Sequence, residues 1–202
     1  MDLSLIKKFW EFLKKDTWQS WLVSVILIII LIKLIIFPTL TFITGSPLPL
    51  VVVESCSMYH EAPLEEWTNK NSAYYESFNI SQSDFQDFPM KNGLNKGDII
   101  FVWGKSTSYN VGDIIIFQPN SEALTQTPII HRIITDSPIG TKGDHNSQQL
   151  QFANNINNID ETSITKSQII GKASFKVLPF VGWIKLIFFE PFRPDYQRGL
   201  CK

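Results

Sequence analysis

The hydrophobic residues of this chain are concentrated in one run near its N-terminus. Residues Trp21–Ile43 are almost wholly apolar, with interruptions at Lys33 and Pro38. A helix needs about 20 apolar residues to cross the hydrocarbon core of a bilayer. The apolar part of a cleaved signal peptide is shorter, at about 7–15 residues. The pattern therefore predicts one uncleaved transmembrane helix over 21–43.

The residues before this run combine basic and apolar side chains at helical spacing. Within Met1–Ser20, four lysines lie among leucine, isoleucine and tryptophan residues. This spacing predicts a short amphipathic basic helix at the membrane surface. No Lys or Arg occurs over 45–69. By the positive-inside rule, the N-terminus is predicted to be cytoplasmic, and everything after about residue 44 is predicted to lie outside the cell membrane.

Beyond the apolar run, β-branched stretches alternate with Gly, Pro, Asn and Ser, which is typical of a mainly antiparallel β domain. Strands are predicted at Val51–Val53, Asp98–Trp103, Asp113–Gln118, Ile129–Ile134 and Ser167–Phe175. The predicted fold class is a mainly β domain over 44–176 with an N-terminal transmembrane helix. Within it, Tyr59–Lys96 is polar, acidic and aromatic, and is predicted to be an inserted loop or a small helical lobe.

A second apolar segment, Val177–Phe189, is too short to span a bilayer as a straight helix. Two interpretations stay open: the segment rests on or dips into the bilayer, or it packs in the protein core. The polar tail Glu190–Lys202 carries three basic residues. If the apolar segment did cross the membrane, this tail would be cytoplasmic.

Composition narrows the classes of function. The 202 residues allow one domain of ordinary size with appendages, and a net charge of −1 gives no indication of a nucleic-acid partner. The two cysteines, Cys56 and Cys201, are too few for a disulfide framework. The sequence contains no HExxH or CxxC spacing and no glycine-rich phosphate loop.

Two serines follow the first predicted strand. In an extended backbone Ser55 and Ser57 would share one face, with Cys56 and Met58 on the other. Such a pair suits hydrolysis, in which one serine attacks a carbonyl carbon while the other helps to hold the oxyanion. The alternative is a strand end whose serines bond to nearby backbone.

Two further residues could complete such a site. His131 is a polar residue in an aliphatic strand, where it is either a general base or a half-exposed strand histidine. Asp144 lies in the polar turn Gly140–Asn146, where it either orients an imidazole or closes an Asx turn.

Two other chemistries are weaker. A metal site from the three histidines and Asp144 has irregular spacing, so no metal or cofactor is predicted. A thiol protease with Cys56 and His131 is opposed by strand alternation, because Cys56 would face away from the serines.

Taken in order, these motifs resemble signal peptidase I, in its archaeal and endoplasmic-reticulum branch. Ser55-Cys56-Ser57-Met58 is similar to the Ser-Gly-Ser-Met box of that family, and the histidine of Ile130-His131-Arg132-Ile133 stands where bacterial members have a lysine. The other matching boxes are Gly97-Asp98-Ile99-Ile100, Val111-Gly112-Asp113-Ile114, Thr141-Lys142-Gly143-Asp144-His145-Asn146 and Gly171-Lys172-Ala173.

The resemblance implies a membrane-bound serine endopeptidase with a signal-peptidase-like β fold, which cleaves N-terminal signal peptides from exported preproteins. It implies Ser57 as nucleophile, His131 as general base, Ser55 as part of the oxyanion hole and Asp144 as the acid. The implied partners are preprotein signal peptides, the lipid bilayer, and a translocon or partner subunits.

The sequence departs from the family pattern in three places. Cys56 replaces a glycine, and about 40 residues separate Ser57 from Gly97 where the family has a short connection. The third departure concerns the acid, because the stretch 147–150 lacks the aspartate that usually completes the triad. The acid is then Asp144, or Asp160 or Glu161 from a rearranged loop, or the site is a Ser–His dyad; Asp144 is the prediction.

Two rival functions remain at this stage. One is a dedicated-substrate or self-cleaving membrane protease on a related scaffold. The other is an inactive membrane-anchored β domain that only binds partners, which the altered acid position would explain.

Overall fold

The N-terminal apolar run forms one continuous helix. The computed structural model describes residues 3–202, apart from the side chains at positions 3, 6 and 196, and it divides the chain into two units between Ile43 and Thr44. Helix α1 covers Leu3–Leu13. After a short turn, the helix Trp18–Thr44 has 27 residues and a mean hydropathy of 2.9, so it is long and apolar enough to cross a membrane.

This long helix changes its winding near Pro38. Helix α2 (Trp18–Leu31) continues through a π-helical turn, Ile32–Ile36, into α3 (Phe37–Thr44). Proline has no N–H to donate and its ring crowds the carbonyl group four residues earlier. A wider π turn just before it relieves that crowding without ending the helix.

The second unit is built on one six-stranded antiparallel sheet, which confirms the predicted mainly β fold. The strands are β1 (Leu50–Val52), β2 (Ile99–Trp103), β3 (Ile114–Phe117), β4 (Ile129–Asp136), β5 (Ile139–Lys142) and β6 (Ile169–Leu178). Their order across the sheet is β1-β2-β6-β3-β4-β5. Strand β5 is absent from the sequence prediction, because its short Ile-Gly-Thr-Lys stretch reads as part of a polar turn.

Both faces of β3 are covered. Ile114 and Ile116 belong to a core cluster on one face, and Ile115 and Phe117 belong to a second cluster on the other. A strand buried on both faces reads as a continuous hydrophobic run, and each such side chain contributes about 1.5–3 kcal/mol through burial. This strand therefore forms the rigid centre against which β4 and its histidine are placed.

The inserted segment between β1 and β2 is a small helical lobe. It contains α4 (Leu64–Glu76) and α5 (Asp84–Asp87). Trp67, Tyr75 and Phe85 form a buried cluster with Ile134 of β4. The aromatic content of this segment is therefore the core of the lobe and its contact with the sheet.

The C-terminal segment combines exposed apolar side chains with a tail that packs on the β unit. Strand β6 runs three residues past its predicted end and is followed by the one-turn helix α6 (Trp183–Leu186). Short 3₁₀ turns occupy Phe152–Asn154, Glu190–Phe192 and Asp195–Gln197. Large exposed apolar side chains here are Phe175, Val177, Leu178, Phe180, Val181, Ile184, Ile187, Phe188, Phe189 and Phe192.

The two cysteines form a disulfide, which the sequence count did not predict. Cys56 and Cys201 are separated by 145 residues in sequence, and their Cα atoms lie 5.5 Å apart. The end of the tail is therefore held beside the serine pair. Helix α6 covers only four residues of the apolar segment, and Cys201 is bonded to Cys56 within the second unit.

Candidate active site

The two serines lie on a turn rather than on an extended strand. Strand β1 ends at Val52, and the backbone turns over Cys56–Tyr59, where the Tyr59 amide donates to the Cys56 carbonyl at 3.0 Å. We call Glu54–Met58 the serine loop. The Oγ atoms of Ser55 and Ser57 are 3.1 Å apart. The hydroxyl groups are thus adjacent, although the turn and not strand alternation brings them together.

The imidazole of His131 faces the serine loop across Gly143. His131 is only 3% exposed and pairs with Ile115 of the central strand β3. A Cβ atom on Gly143 would lie 2.7 Å from His131 Nε2 and also 2.7 Å from the Ser57 carbonyl oxygen. The same carbonyl accepts a hydrogen bond of 2.8 Å from the His145 amide. The absence of a side chain at Gly143 is what lets imidazole and serine loop approach each other.

The other ring nitrogen of His131 contacts Glu161. His131 Nδ1 lies 2.5 Å from Glu161 Oε2, and the glutamate is fully buried. Glu161 Oε2 also accepts from Thr141 Oγ1 at 3.0 Å, and Oε1 accepts from the Leu150 amide at 2.8 Å. A carboxylate at Nδ1 favours the tautomer whose Nε2 is unprotonated and able to accept a proton.

Backbone pairing along the outer edge of β5 delivers Glu161 to this position. The Thr141 amide donates to the Glu161 carbonyl at 2.9 Å, and the Ile164 amide donates to the Ile139 carbonyl at 2.7 Å. The Glu161 amide donates in turn to the Leu150 carbonyl at 3.0 Å. The Asn-rich loop therefore returns to the sheet and places its glutamate on the histidine side.

The carboxylate of Asp144 contacts Arg132 and His60, whereas the sequence prediction paired it with His131. Its carboxylate accepts hydrogen bonds from Arg132 Nη2 at 2.8 Å and Nε at 3.0 Å, and it lies 2.9 Å from His60 Nε2. The reason is strand parity. Arg132 pairs with Lys142, so Asp144, two residues further along, is on the face of Arg132 and opposite to that of His131.

This buried cluster has a strongly perturbed acid. Burial alone would raise the pKa of Asp144, but the Arg132 charge and the hydrogen bonds from His60 and Arg132 outweigh it and hold that pKa well below its usual value. Arg132 also donates to the carbonyls of Pro89 and Gly112. The cluster therefore ties the end of the inserted lobe to the sheet.

Lys142 is also buried close to the site. Its Nζ atom donates to the Gly143 carbonyl at 3.0 Å and to the Tyr75 hydroxyl at 3.3 Å. Burial lowers the pKa of Lys142 to about 8, against the opposing effect of the charges of Asp144 and Glu161. Its hydrogen bonds support the turn that contains Gly143.

The remaining candidate residues take structural positions. The ring of His60 is stacked on Trp67 with centroids 3.7 Å apart, and His145 Nδ1 lies 3.5 Å from Glu61. Among residues 3–202, no group of three or more His, Cys, Asp or Glu side chains is arranged to hold a metal ion. Cys56 is bonded to Cys201 and is therefore unable to act as a thiolate nucleophile.

Comparison with known proteins identifies relatives with a common name. No family model matches the chain. A signal peptidase complex catalytic subunit SEC11 from Candida tropicalis is 26% identical over 110 residues, covering 50% of this chain and 61% of the relative. The chain is a distant homologue of signal peptidase catalytic subunits. The resemblance recognised in the sequence is thereby confirmed.

Two further relatives support this homology. The SEC11 subunit of Candida albicans is 28% identical over 111 residues, covering 50% of this chain and 61% of the relative. That of Leptosphaeria maculans is 23% identical over 119 residues, covering 55% of this chain and 65% of the relative. The chain thus spans about three fifths of the length of the curated relatives that it matches.

Two features of the site, the acid Glu161 and the disulfide, had only weak indications in the sequence. Glu161 was one of several carboxylates near the Asn-rich loop, and the lack of an acid over 147–150 was the only indication that one must come from elsewhere. The disulfide could have been inferred from the predicted extracytoplasmic location, where a pair of cysteines is commonly oxidised.

Proposed function

We propose that the chain is a membrane-anchored serine endopeptidase that cleaves signal peptides from preproteins. The observation that carries this proposal is His131, buried with Nδ1 on the Glu161 carboxylate and with Nε2 separated from the Ser57 carbonyl oxygen only by Gly143. The homology to signal peptidase catalytic subunits supports the reaction class. Glu161, rather than Asp144, takes the role of the acid.

The proposed reaction proceeds through an acyl-enzyme. His131 Nε2 takes the proton of Ser57 as Oγ bonds to the scissile carbonyl carbon, and Glu161 stabilises the resulting imidazolium. The oxyanion accepts hydrogen bonds from the Ser55 hydroxyl and the Ser57 amide. The imidazolium then protonates the departing amine as the C–N bond breaks.

Water completes the cycle on the same groups. His131 takes a proton from a water molecule as the water oxygen bonds to the acyl carbon. The imidazolium returns that proton to Ser57 Oγ as the ester bond breaks, which releases the signal peptide as a carboxylic acid. Each step uses one proton on one nitrogen, so the tautomer imposed by Glu161 matters throughout.

The proposed substrate binds as an added strand on the outer edge of β1. Val53 exchanges hydrogen bonds with the β2 side, donating to the Asp98 carbonyl at 2.9 Å and accepting from Gly97 at 2.8 Å. In an antiparallel pair the intervening residues point their amide and carbonyl groups the other way. Leu50 and Val52 therefore present theirs to an extended peptide, which would lead its carbonyl to the serine loop.

Membrane placement follows from two separate features in this proposal. The helix Trp18–Thr44 is the anchor, with the N-terminus cytoplasmic. The exposed apolar side chains over 175–192 form a surface that rests on a bilayer. The disulfide Cys56–Cys201 fits an oxidising, extracytoplasmic compartment. Because the relatives are named as subunits of a complex, partner subunits are part of the proposal.

Cleavage of a preprotein in liposomes tests the function. Wild type should cut at a site with small residues before the bond, and Ser57→Ala and His131→Ala should each abolish cutting per folded molecule. The exposed Ser57→Ala change should leave the melting temperature within a few degrees. Cleavage that persists in Ser57→Ala would refute the assignment. A folded wild type that cuts nothing, alone or with partner subunits added, would favour the binding protein without activity.

A further inference from the structure

The C-terminal tail, Glu190–Lys202, contacts the serine loop at two points that flank Ser55. Arg193 Nη1 donates to the Glu54 carbonyl at 2.9 Å, and Nη2 donates to Glu54 Oε2 at 2.7 Å. On the other side, Cys201 is bonded to Cys56. The residue before Ser55 and the residue after it are thus both attached to the tail.

A buried lysine fastens the tail itself. Lys96 is 1% exposed, and its Nζ atom donates to the carbonyls of Gln197 and Gly199 at 2.7 and 3.1 Å and lies 2.7 Å from Glu190 Oε1. A buried ammonium group is stable only when such partners surround it. All three of these partners belong to the tail, so release of the tail would remove both hydrogen bonds and the ion pair of Lys96 at once.

The same lysine is next to a turn that hydrogen-bonds to Val53, the residue before the serine loop. Gly97 follows Lys96 and donates to the Val53 carbonyl at 2.8 Å. The carbonyl of Val53 is therefore held by the turn, and the next carbonyl, that of Glu54, is held by the guanidinium of the tail. The tail and the turn together define the backbone path into Ser55.

We propose that Arg193 and the Cys56–Cys201 disulfide are positioning groups for Ser55 and Ser57. Ser55 is exposed and its Oγ contacts that of Ser57, so the packing of its own side chain does little to hold it. Its hydroxyl is placed by the backbone on either side, and the tail holds that backbone. The inference rests on the proposed peptidase function for its catalytic consequence, whereas the ordering of the loop stands independently of it.

The consequence is a tail that acts on turnover more than on substrate binding. A displacement of about 1 Å at a reacting group costs up to about 100-fold in rate, and loss of one oxyanion donor costs about 100- to 1000-fold. The outer edge of β1, where the substrate is proposed to add, is formed by residues before the loop. Releasing the tail should therefore lower kcat by about 10- to 100-fold and leave KM within about twofold.

The test compares two ways of releasing the loop in the full-length protein. One is Arg193→Met, with Arg193→Lys as the conservative variant, which keeps the charge but cannot bond the Glu54 carbonyl oxygen and Glu54 Oε2 together as a fork. The other is reduction with dithiothreitol, which gives two electrons to the disulfide, leaves Cys56 and Cys201 as thiols and closes to a cyclic disulfide itself. Cys201→Ser is the control for the reductant.

A matched control within the tail is Asp195→Asn. Its carboxylate is 91% exposed and pairs with Arg198 of the tail. The measurements are kcat and KM on a preprotein, the melting temperature, and hydrogen exchange of the amides over 55–60. We expect lower kcat and faster exchange in Arg193→Met and in reduced wild type, a smaller loss in Arg193→Lys, and no further effect of the reductant on Cys201→Ser.

Two results would overturn the inference. One is unchanged kcat and unchanged exchange over 55–60 after both reduction and Arg193→Met. The other is a lowered melting temperature with normal kcat in the folded range, which would mean a purely structural tail. A wild type that cuts nothing would refute the proposed function instead, and the exchange data would then still decide whether the tail orders the serine loop.

Discussion

Replacing Glu161 by Gln should nearly abolish turnover while keeping the shape of the site. The Leu150 amide donates to Glu161 Oε1, so a glutamine keeps its oxygen there and turns its amino group towards His131 Nδ1. That amino group is a hydrogen-bond donor. His131 Nδ1 can accept this hydrogen bond only when it is unprotonated, and the neutral imidazole then has its proton on Nε2. The base would be in the wrong tautomer to accept the proton of Ser57.

The size of this effect follows from charge and tautomer together. The 2.5 Å contact lies in a fully buried pocket. Opposite unit charges about 4 Å apart attract by about 4 kcal/mol at an effective dielectric constant of about 20, which is about 1000-fold in rate. The wrong tautomer in an aspartate-based triad costs about 10⁴-fold. We therefore expect kcat to fall by about 10³- to 10⁴-fold and KM to change little.

The assay is single-turnover cleavage of a preprotein in liposomes, with thermal unfolding followed by circular dichroism. Asp160→Asn is the matched control. This neighbouring carboxylate accepts hydrogen bonds from Thr162 of the same loop. Its activity should stay within about threefold of wild type. A Glu161→Gln variant that keeps more than a tenth of wild-type kcat would refute the assignment, as would a selective loss in Asp144→Asn per folded molecule.

Three other perturbations have definite expected results. Gly143→Ala should lower kcat by up to about 100-fold, because its Cβ would lie 2.7 Å from both His131 Nε2 and the Ser57 carbonyl oxygen; the cleavage assay measures this. Asp144→Asn should lower the free energy of unfolding by about 3–5 kcal/mol at pH 7, measured in urea, because it leaves Arg132 buried without its charged partner. Reducing the Cys56–Cys201 disulfide should lower the free energy of unfolding by about 2–4 kcal/mol, also measured in urea.

The pH dependence of the second result has a definite sign. The folded pKa of Asp144 is depressed, so the unfolded chain binds more protons in acid. The stability from this carboxylate is complete above its ordinary pKa of 3.8 and is lost as the pH falls below it towards the lower folded value. A wild-type advantage over Asp144→Asn that grew in acid would contradict this. A Gly143→Ala variant with wild-type activity would contradict the prediction for Gly143. Equal urea midpoints with and without reductant would contradict the prediction for the disulfide.

The features that the sequence alone determined are those with a local pattern. An apolar run has to find an apolar environment whatever its neighbours are, so the helix Trp18–Thr44 was predictable within a few residues. The isoleucine-rich strands β3 and β4 were predictable from β-branched runs between turn residues. The serine pair and His131 stood out because polar residues at such places need a partner.

The tertiary structure decided which residues meet. The parity that separates Asp144 from His131 depends on the register Arg132–Lys142, and a shift of one residue would reverse it. Local propensity contains no information on that register. Sequence spacing alone therefore favoured the nearest carboxylate, whereas the fold brought in Glu161 from beyond the Asn-rich loop.

The same limit applies to the tail. Cys201 and Cys56 lie 145 residues apart, and Arg193 reaches Glu54 across 139. Contacts of such separation are made by the fold as a whole, since each depends on the paths of β1, β2 and β6 as well as on its own residues. The sequence identified a serine pair and a histidine as candidate catalytic residues, and the three-dimensional packing determined which residues contact them.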